Sequence, residues 1–182
     1  TYQLLGQMAD SVEPGSHKLL FLPWLSGERA PVLDHYARGG FVGLSLSHTK
    51  SHLARSVMEG VAFHLRWICE SLERLGLTFD SVNAIGGGST SPVWTQIISD
   101  IIERPLRVVE HPQEAGAMGA ALSVAVGLGI LPNMEAVDEV IRIDHTVEPR
   151  AFNQKRYGQL YQEYRALYEA LAPIYRNLHN VD

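Results

Sequence analysis

The sequence predicts an α/β domain, and three observations predict it. Short apolar runs alternate with helical periodicities along the 182-residue chain, as where strands feed helices. One run, Val82–Ile85, passes through Gly86-Gly87-Gly88 into Ser91-Pro92, the order of a buried strand, a glycine loop and a helix start. Before it, Leu53, Val57, Val61, Leu65, Ile68, Leu72 and Leu75 recur at spacings of three and four, the single apolar stripe of a long helix.

In chain order, residues 2–12 read as a short helix carrying Leu4, Leu5 and Met8, closed by Glu13-Pro14-Gly15. Leu19-Leu20-Phe21-Leu22 reads as a buried strand that enters a loop dense in turn residues, Pro23 to Pro31. Residues 39–44 form a second short strand bounded by glycine, and the polar cluster Ser45–Ser51 precedes the long helix, which Gly76 ends. After the glycine loop comes a helix with Val93, Ile97, Ile98, Ile101 and Ile102 inward, and then the strand Leu106–Val109. Residues 115–127 are nearly all small, the composition of a helix that approaches another backbone closely. A short helix near 134–140 and a long one from about 152 to 178 finish the chain. No repeat, low-complexity segment or linker divides it, so residues 1–182 read as a single domain, a size that supports a real core.

Composition excludes several function classes. Fifteen basic residues against 20 acidic ones, with no basic tract, argue against nucleic-acid binding. No apolar run is long enough to cross a membrane, and the first residues lack the regions of a signal peptide. Cys69 is the lone cysteine, so neither a disulfide framework nor a CxxC metal site is expected, and a reducing cytoplasm fits best.

The glycine loop is the leading candidate for chemistry. Glycines allow backbone angles that a side chain forbids and let a ligand lie against bare peptide. Ser91 suits an N-cap and Pro92 the first helical position. Free amides and the positive end of the helix dipole then face the loop, a geometry that suits a nucleotide. The run is neither a dinucleotide fingerprint nor a P-loop, and a plain tight turn is the alternative.

Other residues carry two readings each. His48 and His52, four apart, share a helix face as zinc ligands do, but without HExxH or a third ligand an ordinary polar helix entry is the better reading. Glu28 and Arg29 either face a cleft or form a salt-bridged surface turn, with Asp34 and Arg38 a weaker case. Tyr157, Tyr161, Tyr164, Tyr168 and Tyr175 stripe the last helix and read as a packed face with hydroxyls reaching solvent rather than a stacking platform. Cys69 reads as a small core residue, and Glu114 as favourable charge at a helix start.

Four ordered segments resemble the C-terminal half of the FGGY carbohydrate kinases. Gly39-x-Phe41-x-Gly43-Leu44, then seven residues, then His52-Leu53-x-x-Ser56-Val57-Met58-Glu59 is similar to that family's second signature. Phe21-Leu22-Pro23-Trp24-Leu25-Ser26-Gly27-Glu28-Arg29-Ala30-Pro31 resembles a loop of xylulose- and gluconate-kinase-like members. Gly86-Gly87-Gly88-Ser89 through Gln96-Ile97-Ile98-Ser99-Asp100 resembles the adenosine motif, and Glu114 to Ala121 the small-residue helix after it. The match covers roughly residues 1–130.

That resemblance implies a ribonuclease-H-like lobe of the actin-like ATPase superfamily, flanked by long helices. It implies ATP or ADP as ligand, approached by the backbone of Gly86, Gly87 and Gly88, with Ser91 near base or ribose. Gly116 and Gly119 would let their helix come close beneath the adenine, and the stripe of the long helix would be lobe core, with Glu59 near its first turns. The intact enzyme would move the γ-phosphate of Mg·ATP to a hydroxyl of a ketopentose, D-xylulose first, with gluconate or another ketose or polyol as alternative. The general-base Asp, the Mg²⁺ ligands and most sugar contacts belong to the family's first lobe, which this sequence does not match. Thr1 would follow the hairpin that holds the β- and γ-phosphates. The chain alone is therefore expected to lack catalytic residues and metal ligands and to be inactive. Self-association into a homodimer through the face that meets the first lobe is a further expectation, as is a stand-alone, non-catalytic nucleotide- or partner-binding module.

Overall fold

A computed structural model describes residues 2–181; Thr1, placed by the sequence reading just after a phosphate hairpin, lies outside them. The elements run α1 (Tyr2–Asp10), β1 (Leu20–Leu22), β2 (Gly40–Val42), α2 (Lys50–Arg74), β3 (Val82–Ala84), α3 (Pro92–Ile102), β4 (Leu106–Val109), α4 (Ala115–Gly127), β5 (Ile143–Val147) and α5 (Ala151–His179). The α/β alternation holds, but the strands form two small sheets. β1 and β2 pair antiparallel, with Phe21 opposite Phe41. β3 lies parallel to β4, and β4 antiparallel to β5. The sequence reading missed β5, because only the ends of Ile143-Asp144-His145-Thr146-Val147 are apolar and none of its five residues is fully buried. It forms because β4 offers an edge, with Leu106 opposite Val147. The helix expected near 134–140 shrinks to one 3₁₀ turn at Glu135–Val137. No described helix is long and apolar enough to cross a membrane.

Helices α2, α3 and α5 enclose the core around Trp24, Phe63, Trp67, Ile97, Ile101, Tyr157 and Tyr164. Aromatic edges interlock there: Trp24 sits 5.6 Å from Tyr164 and 5.3 Å from Tyr168, between ring centroids. The tyrosine stripe is a packed face as expected, but four of its hydroxyls, those of Tyr157, Tyr161, Tyr164 and Tyr168, find partners within the protein. Tyr157 donates to Glu59 at 2.9 Å, Tyr161 to Glu70 at 2.8 Å and Tyr168 to Asp34 at 3.0 Å. Burial pushes the Tyr161 phenol up to about 12.

Helix α2 corrects a second expectation. Its buried face is Ser56, Glu59, Gly60, Phe63 and Trp67, not the apolar stripe. Leu75 is well exposed, and Val57 and Leu72 are exposed too. Val61, Leu65, Ile68 and Leu72 instead wall an open apolar trough of about 680 Å³, shared with Ala84 and Ile85 at the β3 end and with Trp94, Ile98 and Ile102 of α3. The reason is steric. Gly60 lets the backbone of β1 lie directly on the helix, and a methyl there would meet the Phe21 carbonyl. That contact decides which face turns inward. Gly76 ends the helix as predicted: at φ +86° its amide donates to the Glu73 carbonyl and that of Leu77 to Leu72, a Schellman closure.

A buried charge network fastens these elements. The Arg55 guanidinium donates from Nε to Glu59 Oε1 at 2.7 Å, to the Ala9 carbonyl at the end of α1, and to the Tyr157 hydroxyl of α5. Glu59, 2% exposed, also accepts from the Gly15 amide at 2.8 Å and the Ser16 hydroxyl at 2.7 Å. Those last bonds hold a turn in which Ser16, His17 and Lys18 all have left-handed φ, a conformation costing about 1–2 kcal/mol for each non-glycine residue. Burial lowers the affinity of the Arg55 guanidinium for its proton, but Glu59 and Tyr157 outweigh it and hold the group charged.

Two outcomes follow from this packing. Glu59→Ala leaves Arg55 buried and unpaired, so urea unfolding should show a loss of about 3–5 kcal/mol, whereas Tyr157→Phe should lose about 1–3 kcal/mol. Equal losses would show that the carboxylate is not the tie. Gly60→Ala should destabilise the chain by about 1–3 kcal/mol by forcing α2 off β1. Gly158→Ala, on α5 where an added methyl meets nothing within 4 Å, should stabilise it by about 0.8–1 kcal/mol. Thermal unfolding of the pair reads both signs.

Candidate nucleotide site

The parallel pairing of β3 with β4 builds the site. With Val82 opposite Leu106 and Ala84 opposite Val108, the two strands end side by side. The glycine loop after β3 therefore meets the Pro112–Glu114 turn after β4, and the Gly86 amide donates to the Pro112 carbonyl at 2.6 Å. Segments 26 residues apart are joined by that one bond. Gly86 needs its glycine, since its φ is +83°. An open cavity of about 530 Å³ lies beside the junction, between Ser89, Thr90 and Pro92 on one side and residues 108–112 with Asp144 and His145 on the other.

The loop does not feed straight into α3, as the sequence reading had it. A 3₁₀ turn, Gly87–Thr90, intervenes. Within it the Ser89 hydroxyl donates to the Gly86 carbonyl and the Thr90 hydroxyl to Gly87, both at 2.7 Å. The amides of Gly87 and Gly88 donate to no backbone carbonyl among the described residues, so they remain the loop's available donors. The three glycines have different reasons. A side chain at Gly87 would meet open space, whereas a Cβ at Gly88 would come within 2.8 Å of the Trp94 ring. Gly88 is thus glycine for internal packing.

Ser91 caps α3 as predicted, accepting from the Trp94 amide at 3.3 Å, with Pro92 in the first turn. It lines neither cavity, and its hydroxyl lies on the side of α1, near Gly6. The structure thus brings Gly86, Gly87 and Gly88 to the turn that opens α4 and sets Ser91 apart. Gly116 stands in the first turn of α4, where amides lack intrahelical partners. The close backbone approach expected of this helix is absent: a Cβ at Gly116 or Gly119 would meet nothing within 4 Å, and no α4 residue is buried. Being apolar on all sides, α4 has no single face to turn against the described core.

The remaining candidates are structural. Glu28 accepts from the Arg29 and Ala30 amides and pairs with His64 Nε2 at 3.0 Å, which clamps the Pro23–Pro31 loop onto α2. His64 was missed by sequence reasoning; a lone histidine inside an apolar helix gives no signal. Asp34 is buried, which pushes its carboxyl up, but hydrogen bonds from the Tyr36 amide, the Tyr168 hydroxyl and the Ala37 amide outweigh this and hold it below the ordinary value. Burial raises the Cys69 thiol, as suits an inert core residue. Glu114 stands at the start of α4 without a capping bond. His48 and His52 sit at the entry to α2, and no group of three or more His, Cys, Asp or Glu among the described residues is placed to hold a metal.

Residues 1–128 match the C-terminal domain of the FGGY family of carbohydrate kinases. A xylulose kinase of Staphylococcus epidermidis is 36% identical over 170 residues, which are 93% of this chain and 34% of that protein. A gluconokinase of Bacillus licheniformis is 33% identical over 180 residues, covering 98% of this chain and 35% of the relative. The structure of a ligand-bound xylulose kinase from Lactobacillus acidophilus superposes with a TM-score of 0.87 at 31% identity, over 98% of this chain and 36% of that one. The chain thus spans about a third of the length of the relatives it matches. On the family match and these identities, the chain belongs to the FGGY family of carbohydrate kinases, to whose C-terminal domain residues 1–128 correspond.

Proposed function

We propose that residues 1–182 form the nucleotide-binding, ribonuclease-H-like C-terminal lobe of a cytoplasmic, ATP-dependent sugar kinase acting on a ketopentose, D-xylulose first. The observation that carries this reading is the junction of the glycine loop with the start of α4, where Gly86 donates to Pro112, the Gly87 and Gly88 amides have no backbone acceptor among the described residues, and the neighbouring Ser89 and Thr90 line an open cavity. Amides with no internal acceptor are available to phosphate or ribose oxygens. The residues present fit a nucleotide: Gly87 leaves room for it, and the first turn of α4 at Gly116 adds donors and dipole. Ser91, whose oxygen accepts from Trp94 and lies toward α1, caps α3 and stands outside this binding surface.

In the intact kinase Mg²⁺ offsets charge on the transferring phosphoryl group, which is mostly a matter of positioning. This lobe's part is to hold ADP's end of the nucleotide still. We assign the general base, the metal ligands and most of the sugar pocket to a first lobe that this sequence does not match, so the chain alone binds ATP or ADP and does not turn over. Homodimer formation through the first-lobe face belongs to the same reading. Gluconate is the alternative substrate, because relatives named for gluconate match nearly as well as those named for xylulose. A stand-alone module without turnover is the alternative of another class.

A nitrogen–proton NMR titration with ADP, with and without Mg²⁺, tests the site. Amide shifts should concentrate at Gly86–Ser91 and at residues 115–119. Gly87→Val should leave the unfolding midpoint unchanged, since a Cβ there would meet nothing within 4 Å and so opens onto free space, yet remove those shifts. A variant that responds to ADP like the native chain would eliminate the loop as the contact.

A further inference from the structure

The segment between β2 and α2 is closed by histidines rather than by carboxylates. The Ser45 amide donates to His48 Nδ1 at 2.9 Å, and the Thr49 amide to His52 Nδ1 at 3.1 Å. The second bond is the reach-back half of a capping box, in which Glu or Gln is the usual acceptor. A backbone N–H can only donate, so Nδ1 of each ring carries no proton and the proton sits on Nε2. His48 Nε2 accordingly lies 3.3 Å from the His17 carbonyl, which fastens the segment to the left-handed turn. The three rings are close: His17 and His52 have centroids 4.7 Å apart, and His48 and His52 5.4 Å.

We propose that residues 43–51 form an acid-opened clasp, shut while His48 and His52 are neutral and released when they take up protons. A protonated ring loses the Nδ1 acceptor and sets an N–H against the amide it had bound, keeping at Nδ1 only the Ser45 hydroxyl (3.1 Å from His48) or the Thr49 hydroxyl (2.9 Å from His52) as a partner. It also adds positive charge at the positive end of a 25-residue helix. The surroundings add to this. His17 and Lys18 come from the turn, His48 from the segment itself, and Lys50 and Arg55 from α2. Glu59 is committed to Arg55, and no carboxylate among the described residues pairs with any of the three rings. Burial first, then the charges of His17 and His48, hold His52 below the ordinary imidazole value. Closure therefore disfavours the charged ring. The clasp is stable above about pH 6.5 and weakens as pH falls below it. Opening is local, because the Arg55–Glu59 tie begins one turn further along α2 and needs neither histidine. It frees the exposed side chains of Leu44 and Leu46 from a fixed course.

Amide hydrogen exchange by NMR between pH 7.5 and 5, corrected for intrinsic rates, tests the clasp. The Thr49 amide of the native chain should lose protection about tenfold for each pKa unit that closure takes from His52, and the Ser45 amide should lose protection over the same interval. His52→Gln keeps an acceptor that does not titrate, so Thr49 should stay protected at pH 5 while Ser45 still opens. The double variant His48→Gln/His52→Gln should stay closed throughout, and His52→Leu should leave Thr49 unprotected at both pH values. The Phe63 amide, in mid-helix, should stay protected in all of them. Flat protection in the native chain, loss at Thr49 in His52→Gln over the same interval, or parallel loss at Phe63 would overturn the proposal.

Discussion

The buried pairing of Arg55 with Glu59 is the constraint on which the rest of the structure depends. One carboxylate and one guanidinium satisfy the end of α1, a left-handed turn, α2 and the Tyr157 hydroxyl of α5. Two charges this deep are tolerable because each guanidinium nitrogen and each carboxylate oxygen of the pair has a hydrogen-bond partner. Their geometry fixes where α5 crosses α2. It also fixes the turn that places His17 against His52 and lets the backbone enter β1 at Leu20. Remove the pair and three elements lose a common reference point.

From β1 onward, contact with α2 determines which surfaces remain for function. Because Gly60 brings β1 onto the polar-looking face of the helix, the apolar stripe is left to wall the trough between α2, β3 and α3. β3 pairs with β4 alone among the described residues, and α4 carries apolar surface that none of them covers. These features agree with a chain that spans about a third of its relatives' length. The candidate nucleotide site sits at the edge of that surface. It is reached through the loop rather than through the core.

Much of the fold was legible because local signals agreed with tertiary packing. Ser91-Pro92 starts α3 and Gly76 ends α2, since both requirements are set by backbone geometry within a few residues. The glycine loop was legible as a loop. Its 3₁₀ turn was not, because Ser89 and Thr90 form it through hydroxyl bonds back to Gly86 and Gly87 that compete with direct helix entry. β5 was hidden for a different reason: its pairing depends on the edge that β4 presents, not on an apolar pattern of its own.

The sequence by itself determined the order of the elements apart from β5, the start of α3 and the end of α2, the family and the loop that offers bare backbone. Those properties follow from residue type and short spacing. Only the tertiary structure decided which side of α2 is buried, why Gly88 rather than Gly87 is required by packing, and that four of the five stripe tyrosines, Tyr157, Tyr161, Tyr164 and Tyr168, bond within the protein through their hydroxyls. It alone joined Gly86 to Pro112, and His17 to His48 and His52. The physical reason is common to all of these. Burial and hydrogen-bond satisfaction are settled between segments far apart in the chain, where a glycine's missing methyl or one buried carboxylate outweighs the hydrophobic pattern of any single helix.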